Sequence, residues 1–282
     1  MEFNKNKAMI FVPDSTDEDL ALSRTTDICI AAHQDDIEIM AYGPIVKCFG
    51  KADKWLTGVI VTDGAGSPRT GIYEKYSDDQ MKQIRNEEQK TAAMIGKYSA
   101  QLLLAYSSKE VKDANNQALV KELADIIGKA SPEILYTHNL ADKHDTHVSV
   151  ALRTIAAIRM LPMEKRPVKV YSLEVWRGLD WLCDEDKTVF DTSRHPNLAE
   201  ALLGVFDSQI AGGKRYDAAA LGRRIANATF FASHATDDFE SASYGLDITE
   251  LVNDENISPG DFIGRYLDCF KNEIIERIGR FS

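Results

Sequence analysis

The sequence of 282 residues predicts an α/β fold, a mostly parallel sheet with helices on both faces and a mainly helical C-terminal part. Three observations predict it. From Thr25 onward, short apolar runs alternate with segments of helical spacing, the signature of βαβ units. Right-handed crossovers between parallel strands then place helices on both faces of the sheet. Composition is that of an ordinary globular chain, with 44% hydrophobic and 27% charged residues, and no repeat, low-complexity tract or Pro/Gly/Ser linker interrupts it. One domain over residues 1–282 is therefore expected, made of an arm (1–24), an α/β core (25–190) and the helical part (191–282).

The elements follow in order. The arm is polar apart from "AMIFV", which reads as an edge element. "DICIAA" (27–32) is a first core strand and "DIEIMAYGPIVKCFG" (36–50) a helix by its spacing. "WLTGVIVTDG" (55–64) is a strand closed by a turn, and residues 77–98 form a long helix with Asp and Glu early and Lys late. "QLLLAY" (101–106), a helix over 115–130, "EILYTH" (133–138), a helix over 144–160 and "VKVYSLEVW" (168–176) complete the alternation. Helices are expected at 197–210 and 214–233, with "SYGLDITEL" (243–251) as an added edge strand.

Charge and cysteine usage narrow the partners. A formal net charge of -11 argues against nucleic acid and anionic membrane surfaces, which need a basic face. The four cysteines (Cys29, Cys48, Cys183 and Cys269) form no C-x-x-C pair, no secretory signal is visible, and no run approaches the roughly 18 apolar residues of a membrane span. A reducing cytoplasm is the expected compartment. A homo-oligomer is compatible with the sequence but not specified by it.

In open parallel sheets, ligands bind outside the carboxyl ends of the strands. Three polar clusters fall there: "HQDD" (33–36), "TDGAGS" (62–67) and "THNLADKHDTH" (137–147). His33 and Asp36 are three residues apart at a strand-to-helix turn, and His144 and His147 are three apart at a helix start. Crowded carboxylates behind a core strand repel one another unless they are solvated or hold a cation. Imidazole and carboxylate donors suit Zn²⁺ or a similar divalent ion. No G-x-S-x-G elbow or G-x-x-x-x-G-K-[ST] loop offers other chemistry. Glu38 reads as an exposed residue of the following helix.

Taken together, "AAHQDDIEIMAYG", "VIVTDGAGS", "RNEEQKTAAMIG" and "HDTHVSVALRTIAA" resemble the PIG-L/LmbE family of metal-dependent de-N-acetylases over about residues 25–160. Asp207–Gln209 ("DSQ") resembles the family's H-S-Q stretch. The resemblance implies a Rossmann-like three-layer sandwich and a hydrolase that removes an acyl group, acetyl first of all, from an amino sugar or its conjugate, with Zn²⁺ or Fe²⁺ as cofactor. It implies that His33, Asp36 and His147 bind the metal and that Asp35 is the general base. His144 would stabilise the oxyanion or protonate the leaving amine, and Asp63 and Arg85 would contact sugar hydroxyls. Arg85 reads equally as a solvated helix residue paired with Glu88. Two positions depart from the family pattern. Gln34 replaces a proline, and Thr146 stands where the family has an acid, which leaves the carboxylate that orients a ligand to be found. A larger thiol-conjugate amide as substrate, and a metal- or sugar-binding module without catalysis, are the alternative readings.

Overall fold

The computed structural model describes residues 1–282. All eight strands join one sheet in the order β1-β4-β3-β2-β5-β6-β8-β7. The central strands are β2 (Asp27–Ala31), β3 (Leu56–Thr62), β4 (Ala100–Tyr106), β5 (Ile134–His138) and β6 (Lys169–Leu173), and they run parallel. β1 (Met9–Phe11), the edge element read from "AMIFV", pairs antiparallel with β4. On the opposite side β7 (Thr188–Asp191) and β8 (Ala242–Asp247) extend the sheet antiparallel.

Successive side chains of a strand point to opposite faces, so the central strands feed two cores. Ile28 and Ile30 of β2 join a cluster of 34 buried residues, while Cys29 and Ala31 join another of 22. Helix α1 (Glu18–Ser23) leads from β1 into β2, and α2 (Asp36–Met40), α3 (Tyr42–Cys48), α4 (Asp78–Ile95), α5 (Ser108–Lys112), α6 (Gln117–Ala130) and α7 (Asp145–Met160) connect the parallel strands. The C-terminal third adds α8 (Pro196–Gly204), α9 (Asp207–Ile210), α10 (Tyr216–Phe230), α11 (Thr249–Asn253) and α12 (Pro259–Gly279). The first core lies under α6, α7 and α11, the second under α2, α3, α4 and α8, which gives a three-layer sandwich. No helix is long and apolar enough to cross a membrane.

Three expectations are corrected. The helix expected over 36–50 is two helices, broken at Ala41 (φ -112°, ψ 27°). Pro44 has no N–H to give the Met40 carbonyl, so it sits in the first turn of a new helix, where that donor is not needed. "SYGLDITEL" is not an edge strand: β8 lies between β6 and β7, and Thr249 already begins α11. Glu38 is fully buried. Cys183 and Cys269, 86 residues apart, also meet as free thiols with Sγ atoms 3.0 Å from each other.

What matters for function is the strand order. The chain passes from β2 outward through β3 to β4, then returns to place β5 on the other side of β2. This reversal splays the connections apart and opens a crevice at the carboxyl ends of β2 and β5.

Candidate functional site

His33 to Asp36 lie in the turn between β2 and α2, and His138 ends β5. The turn is tight: Asp35 has φ 104°, a left-handed conformation that side chains rarely adopt and that costs of order 1–3 kcal/mol. Asp36 Oδ2 accepts the His33 backbone N–H at 2.7 Å, and Asp35 N–H donates to Gln89 Oε1 at 3.2 Å. These bonds aim two neighbouring carboxylates in different directions.

Asp36 faces the histidines. Its Oδ2 is 3.1 Å from His33 Nδ1 and 3.3 Å from His147 Nε2, and those two nitrogens are 3.1 Å apart. A tetrahedral ion with bonds of about 2.0–2.2 Å separates its ligand atoms by about 3.3–3.5 Å, so this triangle has the size of one face of such a site. Two imidazole nitrogens directed at one another and at a buried carboxylate oxygen are a donor set for a cation. Burial would push the Asp36 carboxyl up, but His147, His138 and His33 together hold it well below the ordinary range. It is therefore an anion ready to ligate.

The carboxylate that orients His147 is Asp142. Its Oδ2 lies 3.3 Å from His147 Nδ1, and its Oδ1 accepts the His144 backbone N–H at 2.9 Å. A proton held on Nδ1 leaves the Nε2 lone pair free to ligate a cation. Asp145, at the first position of α7, is exposed and turned away. His138 supports from behind: its ring stacks on His147 at 4.0 Å, and Nε2 accepts the Ala32 N–H at 2.8 Å. His144 flanks the triangle with its ring against His33 and Trp176, and its Nδ1 has no partner.

Asp35 points the other way, toward Arg85 Nη2 at 3.7 Å. Burial pushes its carboxyl well above the usual range; Asp36, Glu38 and Glu88 add to that, and Arg85 opposes it. Arg85 is itself buried, its guanidinium donating to the backbone carbonyls of Gln34 (2.6 Å) and Gly64 (3.3 Å). It ties the "HQDD" turn to the "TDG" turn, and it is no solvated helix residue. Glu88 instead accepts the Ser208 N–H and hydroxyl at 2.7 and 2.6 Å, which anchors the "DSQ" segment. The side chains of Asp63 and Lys82 pair at 3.0 Å, and Asp63 does not line the main cavity. Asp207 accepts the Tyr73 hydroxyl at 2.6 Å, while Gln209 reaches the cavity wall.

That cavity, about 690 Å³, opens over His33, Asp35, Asp36 and His144. Pockets of roughly 300–1,000 Å³ hold small-molecule ligands.

Residues 28–158, which carry every ligand candidate, match the family PIG-L, described as GlcNAc-PI de-N-acetylase. That segment of the chain is similar to the PIG-L family. No curated protein matches it by sequence. Among solved structures, an N,N'-diacetylchitobiose deacetylase from Pyrococcus horikoshii is similar at 16% identity, covering 82% of this chain and 86% of that one, with a TM-score of 0.61. The 4-carboxy-2-hydroxymuconate hydratase GalB from Pseudomonas putida is similar at 18% identity, over 79% and 95% of the two chains, with a TM-score of 0.60. A conserved protein from Thermus thermophilus matches at 14% identity, over 78% and 93%, with a TM-score of 0.61. These likenesses show the fold alone. Because it carries both a deacetylase and a hydratase, the reaction has to be argued from the side chains.

Proposed function

We propose that the chain is a divalent-metal-dependent hydrolase that removes an acetyl group from the nitrogen of an amino sugar or its conjugate. The observation that carries this reading is the triangle of His33 Nδ1, Asp36 Oδ2 and His147 Nε2, with edges of 3.1–3.3 Å, beside a second carboxylate turned away from it. The donor set fits the metal: two imidazoles and one carboxylate suit Zn²⁺ or Fe²⁺, with Asp142 behind His147. Bound there, a divalent ion supplies a lowered pKa for coordinated water and polarisation of the amide carbonyl. The match of residues 28–158 to a de-N-acetylase family and the deacetylase among the structural neighbours support this reaction over hydration.

Amide hydrolysis adds water to the carbonyl carbon and breaks the C–N bond, so one group must take a proton and another give one. Asp35 is the acceptor. It is not in the ligand triangle, its backbone is fixed by Gln89, and Arg85 stands close enough to stabilise the anion without pairing tightly. His144 lines the cavity, and its imidazole can donate to the developing oxyanion or the departing nitrogen. Trp176 and Tyr216 add aromatic surface to the cavity wall. A binding module without catalysis would not need Asp35 held in a strained backbone.

The test is acetate release from a panel of N-acetylated sugars by protein loaded with Zn²⁺ or Fe²⁺ and by chelator-treated protein. Metal-dependent release that Asp35→Asn abolishes supports the reading. No release from any member overturns it.

A further inference from the structure

Away from the cavity, side chains with metal-binding chemistry meet from two distant parts of the chain. Cys183 and Asp186 lie in the connection between β6 and β7, which also carries Val175 and Trp176 to the cavity wall. Cys269 and Glu273 lie on α12. Local geometry prepares each pair. The Asp186 N–H donates to the Cys183 carbonyl at 3.0 Å and closes a 3-10 turn over Asp184–Asp186, in which residues i and i+3 come to one side. On α12, Cys269 and Glu273 stand at i and i+4 and share a face.

The two pairs meet. The Cys183 and Cys269 Sγ atoms are 3.0 Å apart, and both sulfurs and a carboxylate oxygen of Asp186 lie within 4.8 Å of one another. Hydrogen bonding with Cys269, burial and the Glu273 carboxylate push the Cys183 thiol up to about 12. No Lys or Arg pairs with Asp186, and the neighbouring cations Lys187 and Arg277 are taken by Asp184 and Glu273. The Arg277–Glu273 pair is exposed, and such a pair is worth too little to keep Glu273 from an ion. Thiols crowded against carboxylates ionise readily only when a cation sits among them. Thiolate and carboxylate donors without a protein cation are a ligand set for a thiophilic divalent ion. With Zn–S bonds of about 2.3 Å, two sulfurs of a tetrahedral site stand about 3.7 Å apart, so ligation opens the pair by less than about 1 Å.

We infer that Cys183, Cys269 and Asp186, with Glu273 as fourth donor, form a second metal site that takes Zn²⁺ or another thiophilic divalent ion. The site is structural: four protein donors close a tetrahedral shell and leave no position for a substrate. What it holds is α12. After Ile263 no residue of that helix is fully buried, so a clamp at Cys269 ties the exposed remainder to the connection that walls the cavity. The site shares no residue with the triangle of His33, Asp36 and His147 and does not depend on the deacetylase reading.

The experiment is a Co²⁺ titration of the full chain, kept reduced with a phosphine. It is read by the sulfur-to-cobalt charge-transfer band in the near ultraviolet, which imidazole and carboxylate ligands do not give. Wild type is expected to develop the band to saturation, and excess Zn²⁺ to remove it. The Cys183→Ser/Cys269→Ser double variant should lack it; Cys269→Ser alone, at a half-buried position, serves if the double variant does not fold. Asp186→Asn should bind Co²⁺ at least tenfold more weakly, since even an outer carboxylate is worth about 10–100-fold. Asp36→Ala alters only the sulfur-free triangle, so its band should match wild type, and this separates the two sites. Trypsin cleavage at Lys271, exposed on α12, should slow about tenfold in Asp36→Ala when free Zn²⁺ is about ten times Kd, and should not slow when the cysteines are replaced. No band at saturating Co²⁺, or a band that survives both serine substitutions, overturns the site. So does a Cys183–Cys269 disulfide that persists under the reductant, read by peptide mapping.

Discussion

Replacing Asp142 by asparagine should cost the protein most of its metal affinity, although Asp142 touches no metal in the proposed site. The aspartate accepts on both oxygens: Oδ1 takes the His144 N–H at 2.9 Å, and Oδ2 takes the Trp176 N–H and faces His147 Nδ1, both at 3.3 Å. An asparagine can place its single carbonyl oxygen on only one side. If that oxygen keeps the His144 N–H, the amide NH₂ confronts His147 Nδ1. The imidazole is then driven to carry its proton on Nε2, the atom that must ligate. Loss of a carboxylate behind a ligating histidine typically weakens metal binding 10–100-fold, or about 1.4–2.7 kcal/mol. The assay is competition with a chromophoric chelator, with metal content after dialysis measured by mass spectrometry and the rise in Tm on metal addition as a second readout. Asp145→Asn is the control. It lies three residues further along in "DKHDTH", is exposed, and should leave affinity within about twofold. If Asp142→Asn binds as wild type does, or if Asp145→Asn is the variant that fails, the orienting role given to Asp142 is wrong.

The adjacent carboxylates should separate by assay. Asp36→Ala should lose metal and regain part of its activity in excess metal, whereas Asp35→Asn should keep its metal and lose about 10²–10⁴-fold in deacetylation rate; an Asp35 variant that sheds metal would contradict this. Glu38 is fully buried, accepts from Gln89 Nε2 at 2.9 Å and the Tyr98 hydroxyl at 2.7 Å, and burial pushes its carboxyl up to about 7. A raised carboxyl stabilises the fold below its unfolded pKa, near 4.5, and that contribution is lost as pH climbs through about 7. Metal-free wild type should thus lose on the order of 3 kcal/mol relative to Glu38→Gln across that window, read by denaturant titration; parallel pH profiles for the two proteins would refute it. Gly64 has φ 74°, and a Cβ there would press on the Gln34 side chain, so Gly64→Ala should lower stability by roughly 1–2 kcal/mol, measured as a fall in Tm.

The sequence alone carried the strand–helix alternation, because a strand buried between helices must be apolar and its loops must be polar. That alternation is enough to send "HQDD" and "THNLADKHDTH" to one rim, since parallel strands share the direction in which they end. Residue types and spacing made His33, Asp35, Asp36 and His147 candidates, and the family motifs lie on that same alternation. Other features were not legible. Whether Asp142 or Asp145 backs His147 depends on the path of an irregular loop, which has no period for a pattern to follow. Glu38 looks like a surface residue because the charge is visible in sequence, while its partners Gln89 and Tyr98 are 51 and 60 residues away. The cavity lining combines Lys112, at the end of one short helix, with Lys214 and Arg223 from the C-terminal third, beyond any local window. The position of β8 between β6 and β7 has the same origin. Local chemistry fixes which residues can form an element or hold an ion, but the pairing of distant segments is set by how their apolar faces share a core, and only the folded chain decides that.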